Sequence, residues 1–397
     1  MRVLLLISLM AGSVATLPVG TWNTTIGGVP STQLPNAPSL GNGYAGIVLA
    51  DGPFDNLPVT GGVTLWINTN ANWGCSNNTA SGIPGRLTPA VCSMVGFGGV
   101  SFAVPAALIH GKDTESFKAE QRIADGHLYT KQAGASGTVE MLTYMHPERN
   151  IFVTNVTWTG AASALLEVRA WVYNSSTQAH DSHDHLGGPT KSQRSPGAMA
   201  VTRDATGGPG DEVIRRMRTS LAVALPTGAK PLPQLPFGSR TVIGSSIPLP
   251  SGTTVSVVMA LEDNLLSTNA YDPAPAAQSL AKGVSASAVA EAAAAFWGGF
   301  WARSAISLPH SPEIEDYWFG AQYGTATMTA STAVLAQTKG LLPPSGLYGP
   351  WVTTDHPGWN GDFTVSNFAM LHLPPPPVCL CHQGRCALPP LCVGACN

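Results

Sequence analysis

Between Trp351 and Asp362 the sequence reads WVTTDHPGWNGD. These twelve residues carry two carboxylates (Asp355, Asp362), an imidazole (His356), two indoles (Trp351, Trp359) and an amide (Asn360). A sugar offers flat C–H faces that stack on indoles and hydroxyls that need buried acceptors, and this mixture supplies both. Pro350, Pro357 and Gly358 disfavour a helix here, so the stretch reads as an irregular loop of the kind that carries functional groups on a rigid scaffold. The structural alternative is a Trp-anchored loop packed on a neighbouring domain.

Two other clusters hold ligand-type residues. His180 to His185 reads HDSHDH, but Gly187-Gly188-Pro189 follows and no second cluster completes a coordination set, so a solvated loop is expected and no metal. Cys379, Cys381, Cys386, Cys392 and Cys396 crowd the last nineteen residues. Cys379-Leu-Cys381 lacks the wider spacing of paired zinc ligands. Cys75 and Cys92 stand apart and suit a disulfide closing a modest loop in an oxidising compartment. No cofactor is expected.

The elements that must position the Trp351–Asp362 loop belong to a chain of 397 residues, long enough for a large core. Charged residues make up 11%, with a net charge of −3, so no nucleic-acid partner is expected. The opening MRVLLLISLMAGSVA has the short basic start, apolar run and small-residue cleavage pattern of a signal peptide over residues 1–15. The expected location is therefore secreted or vacuolar-lysosomal, with no membrane anchor after cleavage. Sequons at Asn23, Asn77, Asn155 and Asn174 agree with it.

From residue 21 to 283 the pattern is that of strands. VTLWIN sets Val63, Leu65 and Ile67 on one face, LLEVRAWVY sets Leu166, Val168, Ala170 and Val172 opposite Glu167, Arg169 and Trp171, and TTVSVVMALE repeats the alternation. Period-two runs broken by Gly, Pro and Asn describe an antiparallel sandwich with one wet face per sheet. The period changes after residue 284. An alanine-rich helix is expected from Ala286 with a break at Gly298-Gly299, in a helical linker over 284–310. Ser311 as N-cap hydroxyl, then Pro312, Glu313 and Glu315, marks the start of one long helix ending at Lys339-Gly340. Ile314, Trp318, Ala321, Thr325 and Met328 give it a less polar face.

AFWGGFWARSAISLPHSPEIEDYWFGAQYGT followed by GLYGPWVTTDHPGWNGDFT resembles the start of the catalytic domain of the six-hairpin glycoside hydrolases, families 65 and 95 above all. SLGNGYAGIVL from Ser39, TLWINTNANW from Thr64 and MHPERNIFVTNVTW from Met145 are similar more weakly, so the resemblance covers Gly27 to Thr364. It implies a mainly β fold, with an N-terminal antiparallel β-supersandwich, a helical linker and an (α/α)6 barrel, of which residues 311–364 form only the first helix and loop. It also implies an oligosaccharide or glycoside partner and cleavage or phosphorolysis with inversion. Inverting hydrolysis needs an acid and a base roughly 6.5–9.5 Å apart.

By resemblance, Trp359, Asn360 and Asp362 match the sugar-binding mouth and Trp351, Asp355 and His356 its flank. The family's general acid lies further along, and no residue here matches it. After WNGDFT the family pattern is replaced by a Pro/Cys-rich tail over 365–397, expected to be disordered. Val365-Ser366 can be encoded by a splice-donor sequence, so a retained intron is the expected origin of the tail. The resulting expectation is a fragment of a secreted inverting glycoside hydrolase, inactive as given. The alternative is a carbohydrate-binding or scaffold sandwich without catalysis, or a disaccharide phosphorylase relative.

Overall fold

The computed structural model describes residues 17–23, 36–51, 63–76, 91–105, 117–173, 187–205, 217–233, 240–268, 270–343, 345–354, 381–382 and 385–386. Among these residues two large antiparallel sheets dominate. One runs, edge to edge, Val19–Trp22, Phe117–Arg122, His127–Gly134, Gly137–Met145, Ile151–Gly160, Thr254–Asp263, Met217–Ala224, Ala198–Ala205 and Gly187–Ser195. The other runs Lys230–Pro231, Arg240–Leu249, Ala164–Tyr173, Gly98–Ala103, Val63–Thr69, Ala45–Asp51 and Ser39–Gly41. Leu65, Ile67, Phe102 and Val168 of the smaller sheet meet Val139, Phe152, Val257 and Met259 of the larger in one buried core. The alternating positions in the sequence supply that core, because side chains two apart share a face. The β-sandwich with a partial helical region is as expected.

Neither outer face is uniformly wet. Helices α1 (Ala274–Lys282) and α2 (Ala286–Trp301) cover part of the larger sheet, with Ala274, Ala277, Ala281 and Val289 packed on Tyr144, Val153, Ala222 and Ala260. On the smaller sheet Trp171, expected toward water, is fully buried and lies edge-on to Trp66 with ring centroids 4.9 Å apart. Alternation gives the face correctly but not what covers it.

The helices also depart from expectation. α2 is continuous through Gly298 and Gly299, where the sequence suggested a break. Its N-cap is Ser285, whose hydroxyl accepts from the Ala288 N–H at 3.2 Å. The long helix expected from Ser311 to Lys339 is two helices, α3 (Pro312–Met328) and α4 (Thr332–Gln337). The Gly43 N–H donates to the Thr327 carbonyl at 2.9 Å, so a turn of the sandwich seats itself at the end of α3. Ser331 then caps α4 through the Val334 N–H at 3.2 Å. Ser311 makes no side-chain cap, and the Glu315 carboxylate accepts the Leu308 N–H instead.

The buried face of α3 is Phe319, Gln322, Tyr323 and Thr327. On the face expected to be less polar, Ile314 is 61% exposed, and nearby Tyr317 is 80% exposed. Lys339 and Gly340 take positive φ at the end of the next turn, where the sequence placed the stop. No helix among the described residues is long and apolar enough to cross a membrane.

Candidate functional site

Of the six residues expected at a sugar site, the structure describes one. Asp355, His356, Trp359, Asn360 and Asp362 lie outside the described residues, as do His180 to His185 and the tail apart from a short ladder pairing Cys381 with Cys386. Trp351 is described, and it corrects the expectation. It is 4% exposed and packs into the main buried hydrophobic cluster from the outer face of the smaller sheet, and its indole N–H donates to the Leu40 carbonyl at 2.7 Å. A ring buried in this way has no free face for a sugar, so Trp351 anchors the loop.

The anchor is one of several. Residues 345–354 run across the outer face of the smaller sheet at its Ser39–Gly41 end. Gly46 faces them, and a Cβ there would lie 2.6 Å from the Pro350 carbonyl oxygen and 2.7 Å from Trp351 Cδ1. Gly43, at φ +77°, would place a Cβ 2.0 Å from the Ala330 nitrogen. Backbone meets backbone at both points, which only glycine allows. The two glycines lie within SLGNGYAGIVL, where the sequence showed a motif without its reason.

TLWINTNANW supplies the polar half of the joint. Asn68 is buried, and its amide donates to the Val95 and Val352 carbonyls, both at 3.0 Å. Its carbonyl oxygen accepts from the Thr69 N–H at 2.9 Å and the Asn72 amide at 3.2 Å. Asn70 donates to the Gly43 carbonyl and to Ser345 Oγ, both at 2.8 Å. Further along, Tyr173 Oη donates to the Thr353 carbonyl at 2.8 Å, and Gly96 lies beneath Thr353 and Thr354. Buried amides with this many bonds fix position, because a broken bond leaves an unsatisfied polar group behind. Thr354, the last described residue before Asp355, is therefore held beside Gly96.

The opposite end of this assembly is aromatic. Trp297 of α2 stacks on Tyr323 of α3 with centroids 4.8 Å apart, and the Trp301 indole donates to the Ile123 carbonyl at 2.8 Å. Tyr323 Oη donates to the Ser39 carbonyl at 3.1 Å, and burial holds its phenol well above the usual range. α2, α3 and the sandwich edge thus share one packed joint.

Two sequence assignments meet the structure elsewhere. Strands Trp73–Ser76 and Val91–Met94 pair with Cys75 directly opposite Cys92. Such partners have Cα atoms about 4.5–5.5 Å apart, inside the span a disulfide needs. Asn155, a sequon, is half-buried in a central strand, its amide donating to Tyr144 Oη at 3.3 Å and its carbonyl accepting from Ser256 Oγ at 2.7 Å. The nitrogen that would carry a glycan is committed, which makes Asn155 a poor acceptor. Asn23 is exposed, and Asn77 and Asn174 lie outside the described residues. No cluster of three metal-ligating side chains occurs among the described residues.

No family model and no curated protein matches this sequence. Solved structures do. A protein assigned as a kojibiose phosphorylase from the human microbiome is similar with a TM-score of 0.50 at 10% identity, over 73% of this chain and 39% of that one. A bacterial glucoamylase bound to acarbose (TM-score 0.43, 7% identity, 78% and 44% covered) and a family 92 glycosyl hydrolase (TM-score 0.40, 12% identity, 78% and 40% covered) are more distant. At these identities the likeness is one of fold, and it rests on the first of the three. The chain spans about two fifths of that protein's length.

Proposed function

We propose that this chain is the sandwich-and-first-helix part of a secreted glycoside-active protein that inverts the anomeric centre. In this reading the Asp355–Asp362 loop forms one wall of its sugar site. The observation that carries the reading is the joint. A sandwich of the fold found in a glycoside phosphorylase holds residues 345–354 by Trp351, Asn68, Asn70 and Tyr173, immediately before the Trp-Asn-Gly-Asp segment in sequence, and this supports the reading. Trp359 would stack on the sugar, and Asp362 would accept a hydroxyl. These are binding roles, and neither residue is assigned proton transfer. Alone, the chain is expected to hold a sugar without cleaving it.

Expressed as residues 16–397, the chain would be assayed on a panel of aryl glycosides with and without phosphate, and for retention on immobilised glycans. The expected result is retention without turnover. Trp359→Ala should weaken it, and Asp362→Ala should lower affinity by about ten- to a hundredfold, as for losing a charged hydrogen-bond partner. Retention unchanged in both variants would remove the loop from the site. Turnover by the wild-type chain would refute the purely binding role.

A further inference from the structure

A cleft of about 270 Å³ opens where the 146–150 turn, the end of strand Thr254–Asp263 and α4 come together. It shares no residue with the 345–354 segment. Glu262 faces it and makes no hydrogen bond or ion pair to the described residues. Its neighbour Asp263 is occupied: one oxygen accepts the Tyr44 hydroxyl and the other the Leu265 N–H at 2.8 Å. Arg149 stands on the same rim, its charge acting on Glu262, and Asn150, Ser267 and Gln337 add neutral donors and acceptors. Tyr271, Leu280 and Val334 give apolar surface.

The lining disfavours an anion, which would face Glu148, Glu262 and Asp263, while Asp263 is already engaged by Tyr44 and Leu265 and Arg149 opposes a cation. A neutral ligand that both donates and accepts can use Glu262 as acceptor and Arg149 as donor at once. The volume is just below the roughly 300–1,000 Å³ of small-molecule sites. We propose that this cleft is a separate binding site for a neutral polyhydroxylated ligand of monosaccharide size. Burial, and then the charge of Asp263, push the Glu262 carboxyl up to about 7 against the opposing pull of Arg149.

The test is ligand-observed saturation-transfer NMR on the full chain. Glucose, mannose, galactose and fucose serve as probes, with putrescine and inorganic phosphate as charged controls. At least one hexose should bind at millimolar concentration, and neither control should. Glu262→Gln, which keeps the shape, should weaken that hexose about tenfold, the loss of one charge-assisted hydrogen bond. Gln337→Trp, filling the cleft from the exposed side of α4, should abolish binding, with circular dichroism confirming the fold of each variant. Every protein compared carries Trp359→Ala and Asp362→Ala, so that the Asp355–Asp362 segment contributes no signal and the readout reports the cleft alone. Binding of none of the hexoses, binding that survives both cleft variants, or preference for putrescine or phosphate would overturn the proposal.

Discussion

Trp351 is the residue on which the placement of residues 345–354 turns, and replacing it separates its contributions. Trp351→Phe keeps most of the ring but deletes the N–H that satisfies the Leu40 carbonyl, a buried acceptor. Leaving such a group unpaired costs about 1–3 kcal/mol. Trp351→Ala also empties the space over Gly46, and large-to-small changes of this kind cost about 3–5 kcal/mol. Both losses should fall first on residues 345–354. The assay is therefore double: urea unfolding followed by circular dichroism for global stability, and the rate of native-state proteolysis within this segment for local release. Alanine should speed cleavage far more than phenylalanine. Gly46→Ala should mimic part of the effect by pushing at the Pro350 carbonyl and the indole together, an overpacking cost of about 1–3 kcal/mol. In the double variant with Trp351→Ala the two costs should sum to less than their total, since only the indole clash is relieved. A Trp351→Ala protein within about 1 kcal/mol of wild type, with unchanged cleavage, would refute the anchoring argument, because no well-packed tryptophan is removed so cheaply.

Gly298 and Gly299 sit inside a continuous helix, and a Cβ on either would meet nothing within 4 Å. Alanine at each should raise stability by about 0.5–1 kcal/mol, read as a higher unfolding midpoint. Glu262 holds its proton up to about pH 7 in the folded chain and releases it near its ordinary 4.5 when unfolded. Above 4.5 the unfolded state therefore binds fewer protons, so this group's contribution to stability falls as pH rises from 4.5 to about 7 and then levels. The full fall is on the order of 3 kcal/mol at most, and Glu262→Gln should remove it from the pH–stability curve. Oxidised protein should yield a peptide linking Cys75 to Cys92 on non-reducing mass mapping, and separate unlinked peptides would end that assignment.

The strands were legible because their signal is local: Val255, Val257, Met259 and Leu261 alternate, and three of them are fully buried in the core. What lies over the outer faces was not, since Trp171 reads as solvent-facing until distant helices and loops are placed. α1 escaped notice although Ala274, Ala277, Gln278 and Ala281 recur at helical spacing, because Pro273 and Pro275 at its start read as a loop. The break after Met328 was hidden by a stronger stop signal at Lys339-Gly340, although Ser331 stood ready as a cap. The outward position of Ile314 shows the same limit, since an apolar stripe does not say which of two neighbours it will meet. At the site, residue types pointed to Trp351 but composition could not distinguish a stacking platform from an anchor. That distinction depends on Leu40 and Gly46, some three hundred positions earlier.

The Asn68–Val352 bond joins residues 284 positions apart, so its two halves are not made together. At ribosomal speeds of about 5–20 residues per second, roughly 15–60 seconds separate them. Throughout that interval the sheet face that receives Pro350 and Trp351 has been synthesised while its cover has not. A nascent sandwich carrying an uncovered apolar flank is a natural client for chaperones, and the wait lengthens with every slow codon between Asn68 and Val352.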